Sequence, residues 1–326
     1  MPKENTHLYF AHELLGQINQ EQISKIIEEH SKPYYFGSVA PDSFYYSAKS
    51  DVRKISEILH GRDGGLTNEI IFKLLDKARE QKSEADLAFV FGYITHCALD
   101  IIFHPMIYYL SGNYYDPDPK KANEAVYLHR HLETYLDAQV NQTYYFNDYV
   151  NFKVLRSLYF PHYISKLYHT TPREIERTLK RKSMVYGLLR NNFVLDILYL
   201  FYRFIKHSSW SKFKMFLGIF YGNLQRDNRI IPKTINYRDI VTGEPKITTI
   251  YDLFNEAGAY AVEMVAVAHN YYSGKITRAE AAEIIRGESL NTGKVGMPVA
   301  DIRYFFDSKY EHHHLSSLPK SQKVAQ

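Results

Sequence analysis

The hydrophobic pattern of residues 85–104 predicts a helix that is buried on nearly every side. Apolar side chains occupy most positions of this segment, and a helix that is apolar all round belongs in a protein core. Three polar side chains interrupt it at i, i+4 and i+8, namely His96, Asp100 and His104. At about 100° per residue, they share one face of the helix, within an arc of about 80°. Such a stripe requires compensation, either by hydrogen bonds within the core or by a bound cation.

Helical patterning also dominates the rest of the chain, and strand patterning is scarce. In the first half, helices are predicted at 6–16, 20–29, 51–59 and 67–81, with Thr6 and Thr67 as N-caps of the first and the last, and a further helix begins at Asp118 and Pro119. In the second half, helices are predicted in a region from Thr171 through 205, at 213–221 and at 248–272, and a short helix begins at Thr277. Residues 31–47, 111–118 and 223–247 are predicted to be loops. Pro105 predicts that the long helix ends at His104.

A second helical segment places an imidazole and a carboxylate side by side, because His129 and Glu133 are an i, i+4 pair. Three upstream segments add His7, Asp42 and His60, each in an apolar or turn context where a solvated charge is not expected. Nitrogen and oxygen ligands without thiolate are typical of catalytic rather than structural zinc. The five segments together predict a metal site.

This order of residues resembles the zinc-dependent phospholipase C family, whose fold is shared with the P1-type nucleases. In that family, a His in the first helix precedes an Asp, a His, a His-x3-Asp pair with a further His on one helix, and a His-x3-Glu pair on the next. The matching positions here are His7, Asp42, His60, His96, Asp100, His104, His129 and Glu133. The resemblance covers residues 5–140. It implies an all-α, multi-helix phospholipase C-like or P1 nuclease-like domain with a helical C-terminal extension.

The resemblance also implies zinc-assisted hydrolysis of a phosphoester by two to three zinc ions. It makes Asp100 the bridging carboxylate of the ion cluster. It assigns Asp42, His60 and His96 to one site, His104, His129 and Glu133 to a second, and His7 to a third. Zinc ions held in this way lower the pKa of bound water toward 7. Asp42 is the candidate general base, since a carboxylate at the edge of the metal cluster can accept the proton of the attacking water.

One departure from the family concerns the site of His7. Secreted members use the amino group and carbonyl of an N-terminal tryptophan as ligands for one zinc, whereas this chain starts Met1-Pro2 and its single Trp is Trp210. The alternatives are the amine of Met1 or Pro2, the side chain of His12, water, or the absence of a third ion. The site of His7 is therefore expected to be the weakest of the three.

Composition and charge narrow the class of protein. Hydrophobic residues make up 45% and charged residues 23% of the 326 positions, as in an ordinary globular protein. A net charge of +4 gives no specific nucleic-acid signal. The single cysteine, Cys97, is predicted to fill space in the core. Residues 1–15 lack an apolar segment of signal-peptide length, so a cytoplasmic location is expected. Asp100 argues against a transmembrane reading of 89–110, because an Asp at a helix centre costs about 2.5–3.5 kcal/mol on insertion.

The chain is predicted to contain three regions. Residues 1–145 form the metal-binding domain, 146–310 a helical extension packed on it, and 311–326 a polar, disordered tail. Two aromatic segments of the extension, 193–205 and 213–221, are predicted to be either core helices or an interfacial surface that contacts a membrane peripherally. The remaining histidines are predicted to be structural or solvated rather than ligands. These are His131, His162, His169, His207, His269 and His312 to His314.

The predicted function is therefore a zinc-dependent phosphoester hydrolase, with a phospholipid as the leading substrate class. Two alternatives stay open. One is a nuclease or phosphomonoesterase on the same scaffold. The other is a non-catalytic, zinc-stabilised binding protein, in which closed coordination spheres leave no position for water.

Overall fold

The helices of the chain surround a single long helix. A computed structural model of the protein describes residues 3–140, 149–150, 152–204, 210–306 and 316–317. The helices are α1 Glu4–Leu14, α2 Glu21–Glu29, α3 Ser31–Gly37, α4 Ser50–Leu59, α5 Asn68–Gln81, α6 Glu84–Ser111, α7 Pro119–Val140, α8 Tyr159–Leu167, α9 Pro172–Leu189, α10 Asn192–Phe204, α11 Trp210–Leu217, α12 Ile250–Tyr272 and α13 Arg278–Ala282. Short 3-10 helices lie at Pro41–Tyr46, Phe152–Ser157, Tyr221–Gln225 and Val299–Asp301. The all-α prediction is confirmed.

Strands form two small antiparallel pairs within the described residues. β1 (Arg229–Ile230) pairs with β4 (Ser316–Ser317). β2 (Ile235–Arg238) and β3 (Pro245–Thr248) form a hairpin inside the segment that was predicted to be a loop. Apart from β4, the predicted tail 311–326 lies outside the described residues.

The long helix α6 is the centre of the core. Helices α1, α2, α3, α5, α7 and α12 all pack against it. It is long and apolar enough to cross a membrane, but 94% of its apolar window is buried inside the protein. Cys97 is buried within it, as predicted. The pattern of 85–104 therefore predicts the core helix correctly.

Helix α6 nevertheless continues through Pro105 to Ser111, so the prediction that it ends at His104 is wrong. A proline inside a helix costs about 3 kcal/mol, because it removes one hydrogen bond and crowds the preceding turn. The residues that follow it, Met106 and Ile107, are completely buried. Burial of an apolar side chain contributes about 1.5–3 kcal/mol, so packing of the last two turns outweighs the proline.

Residues 31–47 form α3 and the 3-10 helix Pro41–Tyr46 rather than the predicted long loop. Helix α3 crosses α6 at two glycines. A Cβ atom at Gly92 would lie 1.8 Å from the carbonyl oxygen of Tyr34, and one at Gly37 would lie 2.1 Å from that of Phe89. The two backbones are thus in direct contact, and this close approach brings the 3-10 helix with Asp42 against the polar face of α6.

We predict that Gly92→Ala lowers the free energy of unfolding by about 3 kcal/mol or more, the cost of overpacking a rigid core. The higher helix propensity of alanine stabilises the variant by only about 1 kcal/mol, so the clash of the new Cβ with the backbone of α3 dominates. Gly187→Ala is the matched control, since Gly187 also lies in a helix and a Cβ there meets nothing within 4 Å. Denaturant unfolding measures both variants, and an unchanged midpoint for Gly92→Ala would contradict the close crossing.

Three helix starts form as predicted, at Asp118, Thr171 and Thr277, and the hydroxyl of Thr277 accepts from the N–H of Glu280 at 3.3 Å. The carboxylate of Asp118 accepts from the N–H of Lys120 at 2.9 Å, and the hydroxyl of Thr171 accepts from the N–H of Glu174 at 3.2 Å. The predicted helical region after Thr171 is interrupted between α9 and α10, at Arg190 and Asn191.

Thr6 and Thr67 make no side-chain capping hydrogen bond, and of the two only Thr67 occupies the predicted N-cap position. Thr6 lies inside the first turn of α1, where its N–H and hydroxyl donate to Asp137 Oδ1 of α7 at 2.6 and 2.9 Å. A carboxylate from a neighbouring helix therefore satisfies the first turn. Thr67 directly precedes α5, but its hydroxyl donates to the carbonyl of Glu288 at 2.7 Å. Tertiary contacts replace both local caps.

Candidate metal centre

The structure brings all eight predicted site residues into one buried region. They come from α1, the 3-10 helix Pro41–Tyr46, the end of α4, α6 and α7, and none is more than 7% exposed. Three groups offer ligand atoms that lie within 4.8 Å of one another. These groups are His7, His96 and Asp100; Asp42, His60 and His96; and His104, His129 and Glu133.

The group around Asp42 is the most compact. The Nε2 atom of His60 lies 3.1 Å from Asp42 Oδ1 and 3.4 Å from Asp100 Oδ2. His96 Nε2 lies 3.2 Å from the same Asp100 oxygen and 3.4 Å from His60 Nε2. Two imidazole nitrogens and two carboxylate oxygens thus converge on a common point, which is the four-ligand arrangement that zinc prefers.

Asp100 connects this group to His7. Its Oδ2 atom faces His60 and His96, while its Oδ1 atom lies 3.4 Å from His7 Nε2. The ring of His7 stacks on that of His96, with the ring centroids 4.0 Å apart and the planes 13° apart. The two oxygens of one carboxylate therefore face two different imidazole groups, which is the geometry of a bridging ligand.

The third group lies further along α6, where that helix faces α7. His129 Nε2 is 2.8 Å and His104 Nε2 is 3.8 Å from Glu133 Oε1. His104 Nδ1 also lies 3.9 Å from Asp100 Oδ2. The i, i+4 spacing of His129 and Glu133 on α7 brings imidazole and carboxylate together, as their sequence spacing predicts.

Backbone carbonyls orient three of the imidazoles. Nδ1 of His60 donates to the carbonyl of Ser56 at 2.5 Å, and Nδ1 of His96 donates to that of Ser38 at 3.0 Å. Nδ1 of His104 donates to the carbonyl of Leu290. A carbonyl can only accept, so each Nδ1 carries the proton and a neutral ring keeps its Nε2 lone pair for a cation.

Several polar atoms of the site have no hydrogen-bond partner among the described residues. They are both ring nitrogens of His7, Oδ1 of Asp42, both carboxylate oxygens of Asp100 and Nε2 of His104. Each buried polar atom without a hydrogen bond costs about 1–3 kcal/mol. A set concentrated in one place, made of nitrogen and oxygen atoms facing each other, fits bound cations of the zinc type.

The pKa values of the site residues also fit bound cations. Burial would raise the pKa of Asp42, but the neighbouring imidazoles of His96 and His60 outweigh it and hold that pKa at about 2. Burial lowers the pKa of His104 to about 3 and that of His129 well below its usual value. Ionised carboxylates and neutral imidazoles are the protonation states that metal ligands require.

The pKa of His60 is raised, whereas those of His104 and His129 are lowered. Burial alone would lower its pKa, but the adjacent carboxylates of Asp100 and Asp42 raise the pKa to about 9. The two buried carboxylates thus stabilise positive charge between them. A proton on His60 supplies that charge in the metal-free protein, and a cation would supply it in the loaded protein.

The sequence interpretation missed a segment of the C-terminal half that supports the site. The N–H of Leu290 donates to the carbonyl of His60 at 2.9 Å, while the carbonyl of Leu290 accepts from His104. The side chain of Asn291 donates to the same His60 carbonyl at 3.2 Å and accepts from the hydroxyl of Tyr108 at 3.1 Å. This segment ties the end of α4 to α6. No sequence pattern marks it, because backbone atoms make most of its contacts.

A buried lysine was also missed. Lys182 of α9 is completely buried, and its ammonium group donates to the carbonyl of Val39 at 2.9 Å and to Ser43 Oγ at 3.2 Å. It also lies 3.3 Å from a carboxylate oxygen of Glu4. Lys182 therefore holds both ends of the turn that carries Asp42. Its place in a long amphipathic helix gave no sequence signal.

The remaining histidines of the described residues lie away from the three groups. His12 Nδ1 bonds to the hydroxyl of Tyr35 at 2.8 Å, and His12 belongs to none of the three groups. His131 is buried and its Nε2 donates to the carbonyl of Arg229 at 2.9 Å. His207 and the run His312 to His314 lie outside the described residues, as do Met1 and Pro2.

A cavity of about 700 Å³ opens onto the site. Four of the predicted site residues line it: Asp42, His104, His129 and Glu133. Its walls combine aromatic side chains with basic ones. These are Tyr45, Tyr46, Tyr108, Tyr114 and Tyr115, and Lys3, Arg53, Arg62 and Arg130. Such walls suit a ligand that has an anionic group and an apolar body.

Fold and site together define an all-α protein with a clustered, nitrogen- and oxygen-rich metal centre at the base of a cavity. A family model described as zinc dependent phospholipase C matches residues 6–186, which is more than half of the chain. The chain belongs to this family. The matched region extends beyond the 5–140 of the sequence resemblance, and it includes Lys182. No curated protein and no solved structure matches the chain.

Proposed function

We propose that this family member is an active zinc enzyme that cleaves a phosphodiester, with a phospholipid as the favoured substrate class. The observation that carries the proposal is Asp100, whose two oxygens face two imidazole groups at the base of a cavity. A structural zinc site is closed by four protein ligands. Here several ligand residues also line the cavity, so a substrate can reach them.

The three groups support the following assignment of the ligands. Asp42, His60 and His96, together with Asp100, suit one zinc, and His104, His129 and Glu133 suit a second. His7 would serve a third ion through Asp100. When bound, zinc acts as a Lewis acid toward phosphate oxygens and lowers the pKa of water toward 7.

The chain's own residues then bind the substrate and move the proton. Arg62, Arg130 and Lys3 line the cavity and can hold the phosphate oxygens of a substrate, since guanidinium and ammonium groups donate to phosphate. Asp42 lines the same cavity, is ionised at neutral pH, and is placed to accept the proton of the attacking water. The tyrosines of the wall bury the apolar part of the ligand.

Hydrolysis of a substrate panel tests this proposal. The zinc-loaded protein is assayed on a short-chain phosphocholine diester, a phosphomonoester and single-stranded DNA. We expect the phosphocholine diester to be cleaved best and Asp42→Asn to abolish cleavage. Asp51→Asn is the control, because Asp51 is exposed on α4. Preferred cleavage of DNA or of the monoester would replace the phospholipid assignment. Full zinc content with no hydrolysis of any substrate would favour the binding-protein alternative.

A further prediction concerns the relative strength of the sites. We expect His7→Ala to remove less zinc than Glu133→Ala. In the group of His7, His96 also belongs to the group of Asp42 and Asp100 Oδ2 also faces His60, whereas His104, His129 and Glu133 all belong to one group alone. Elemental analysis of the dialysed variants measures the difference. Equal loss would show that the site of His7 is as complete as the others and has a ligand outside the described residues.

A further inference from the structure

Helix α10 is apolar on both of its faces. Its inner face is fixed to the protein by Leu195, which is buried, and by the hydroxyl of Tyr199, which donates to Asn223 at 2.5 Å. Its outer face carries five large apolar side chains at i, i+4, i+7, i+8 and i+11. These are Phe193, Ile197, Leu200, Phe201 and Phe204, with exposed fractions from 37% to 80%. This set is named the outer stripe.

A contiguous stripe of this kind is not the ordinary surface of a water-soluble helix. Single exposed apolar residues need no explanation, but large contiguous patches mark interaction sites. The stripe is not a consequence of a loosely attached helix, because Asp196 forms an ion pair with Arg226 and Leu195 is packed in the core. The fold therefore presents the outer stripe in a fixed orientation.

The charge around the stripe indicates what it binds. Residues 172–217, which span α9 to α11, contain ten Lys and Arg and three Asp and Glu, a net charge of +7, or +6 without Lys182, which is buried beside Glu4, whereas the whole chain carries only +4. The rest of the protein is therefore net negative. A second copy of this face would meet it with the same positive charge and be repelled. An anionic surface would be attracted.

The two helices that pack against α10 both contribute to the cavity wall. Helix α10 packs against both α9 and α11, and each of these contributes an apolar side chain to the cavity wall, Val185 and Phe216. Phe216 is also 55% exposed, so it lies at the rim. Both neighbours of α10 thus carry an apolar residue of the cavity that Glu133 and Asp42 line.

We propose that α10 docks the protein on an anionic lipid bilayer, with the outer stripe inserted at the level of the headgroups and the basic residues of α9 and α11 in contact with them. This is the mode of an interfacial amphipathic helix, which combines buried apolar area with attraction to anionic lipid. The docking extends the proposed function, because it brings the cavity mouth to a surface that holds phosphodiesters. Binding itself requires no hydrolysis.

Vesicle sedimentation tests the docking surface with the zinc-loaded full chain. The probes are vesicles of phosphatidylcholine with phosphatidylserine and vesicles of phosphatidylcholine alone. We expect binding to the mixed vesicles, weaker binding at high salt, and a loss of affinity of about tenfold or more in Phe201→Ser/Phe204→Ser, since two exposed rings leave the lipid. The matched control is Ile247→Ser/Tyr251→Ser, which removes two side chains that are 75% and 74% exposed elsewhere and should bind normally.

A second variant tests the charge without changing the stripe. Lys212→Glu on α11 replaces an exposed cation and should weaken binding to the mixed vesicles only. Equal affinity for both kinds of vesicle, or unchanged binding by both stripe and charge variants, would overturn the proposal. A wild-type dimer in sedimentation velocity that dissociates in the stripe variant, without vesicle binding, would overturn it in favour of a second copy.

The same proteins separate this inference from the proposed function. Hydrolysis of a water-soluble phosphodiester should be unchanged in the stripe variant, because none of its residues contacts the metal centre. Vesicle binding without any hydrolysis would leave the docking surface standing and remove the proposed function. Hydrolysis of soluble substrate without vesicle binding would leave the proposed function standing and remove the docking surface.

Discussion

Replacement of Asp100 by Asn is expected to lower zinc occupancy at two positions together. The amide keeps the shape of the carboxylate but removes the charge that lies between the imidazoles of His60 and His96 on one side and that of His7 on the other. Neighbouring cations repel one another, and only an anionic ligand between them offsets this. A change to a supporting residue of a metal site already costs about 10–100-fold in affinity, so loss of a shared ligand should cost more.

Elemental analysis after dialysis measures the result, and Asp137→Asn provides the control. Asp137 is also completely buried, but it bonds to Thr6, Tyr186 and Tyr221 rather than to the metal groups. Its variant should keep full zinc content even if it is less stable. Loss of one zinc only, with the rest retained at normal affinity, would show that Asp100 belongs to a single site and does not bridge.

The sequence predicts the part of the site that depends on local geometry. His96, Asp100 and His104 share a face because helical periodicity places them there, and His129 and Glu133 meet for the same reason. Their pattern requires no knowledge of the fold. Asp42 and His60 are different, since nothing local relates them to α6. Only the order of residues known from the family suggested that they join the same centre.

The parts that the sequence did not predict depend on contacts between distant segments. Helix α3 was interpreted as a loop because proline, glycine and tyrosine dominate its sequence, and its stability comes from the close contact with α6 at Gly37 and Gly92. The Pro105 prediction failed for a similar reason, since burial of the following turns outweighs a local preference. The contacts of Leu290 come from backbone atoms, which leave no residue-type signal.

Interpretation of the aromatic segments 193–205 and 213–221 left two predictions open, core helices or an interfacial surface, and membrane contact stays a prediction. The inner face of α10 is core, as Leu195 shows, and its outer stripe is exposed. When a helix is apolar on both faces, periodicity alone cannot tell which face lies in the core and which is exposed. The exposed fraction of each side chain separates the two, and that quantity exists only in the folded protein.

Removal of metal from the zinc-loaded protein is expected to lower the free energy of unfolding by about 4 kcal/mol or more, the linkage value for free zinc at about 1,000 times its dissociation constant. The buried carboxylates of Asp42 and Asp100 then keep only the proton of His60 as positive charge between them, while His7 and His104 keep nitrogen atoms that no described residue satisfies by a hydrogen bond. For a chain of this size, the melting temperature should fall by about 10 °C.

Thermal unfolding of the loaded protein, the chelated protein and the chelated protein after readdition of metal tests this expectation. Zinc should restore the melting temperature, whereas Mg²⁺ should not, because Mg²⁺ prefers an octahedral shell of oxygen ligands and the three groups are rich in imidazole nitrogen. Purified protein that contains no zinc, with a melting temperature that neither chelator nor zinc changes, would show that the buried histidines and carboxylates form a polar core by themselves. In that case the hydrogen bonds of His60 and the ion pairs around Asp100 would have to stabilise the centre without any cation. The six polar atoms of the site that have no hydrogen bond within the described residues make that outcome the energetically costlier of the two.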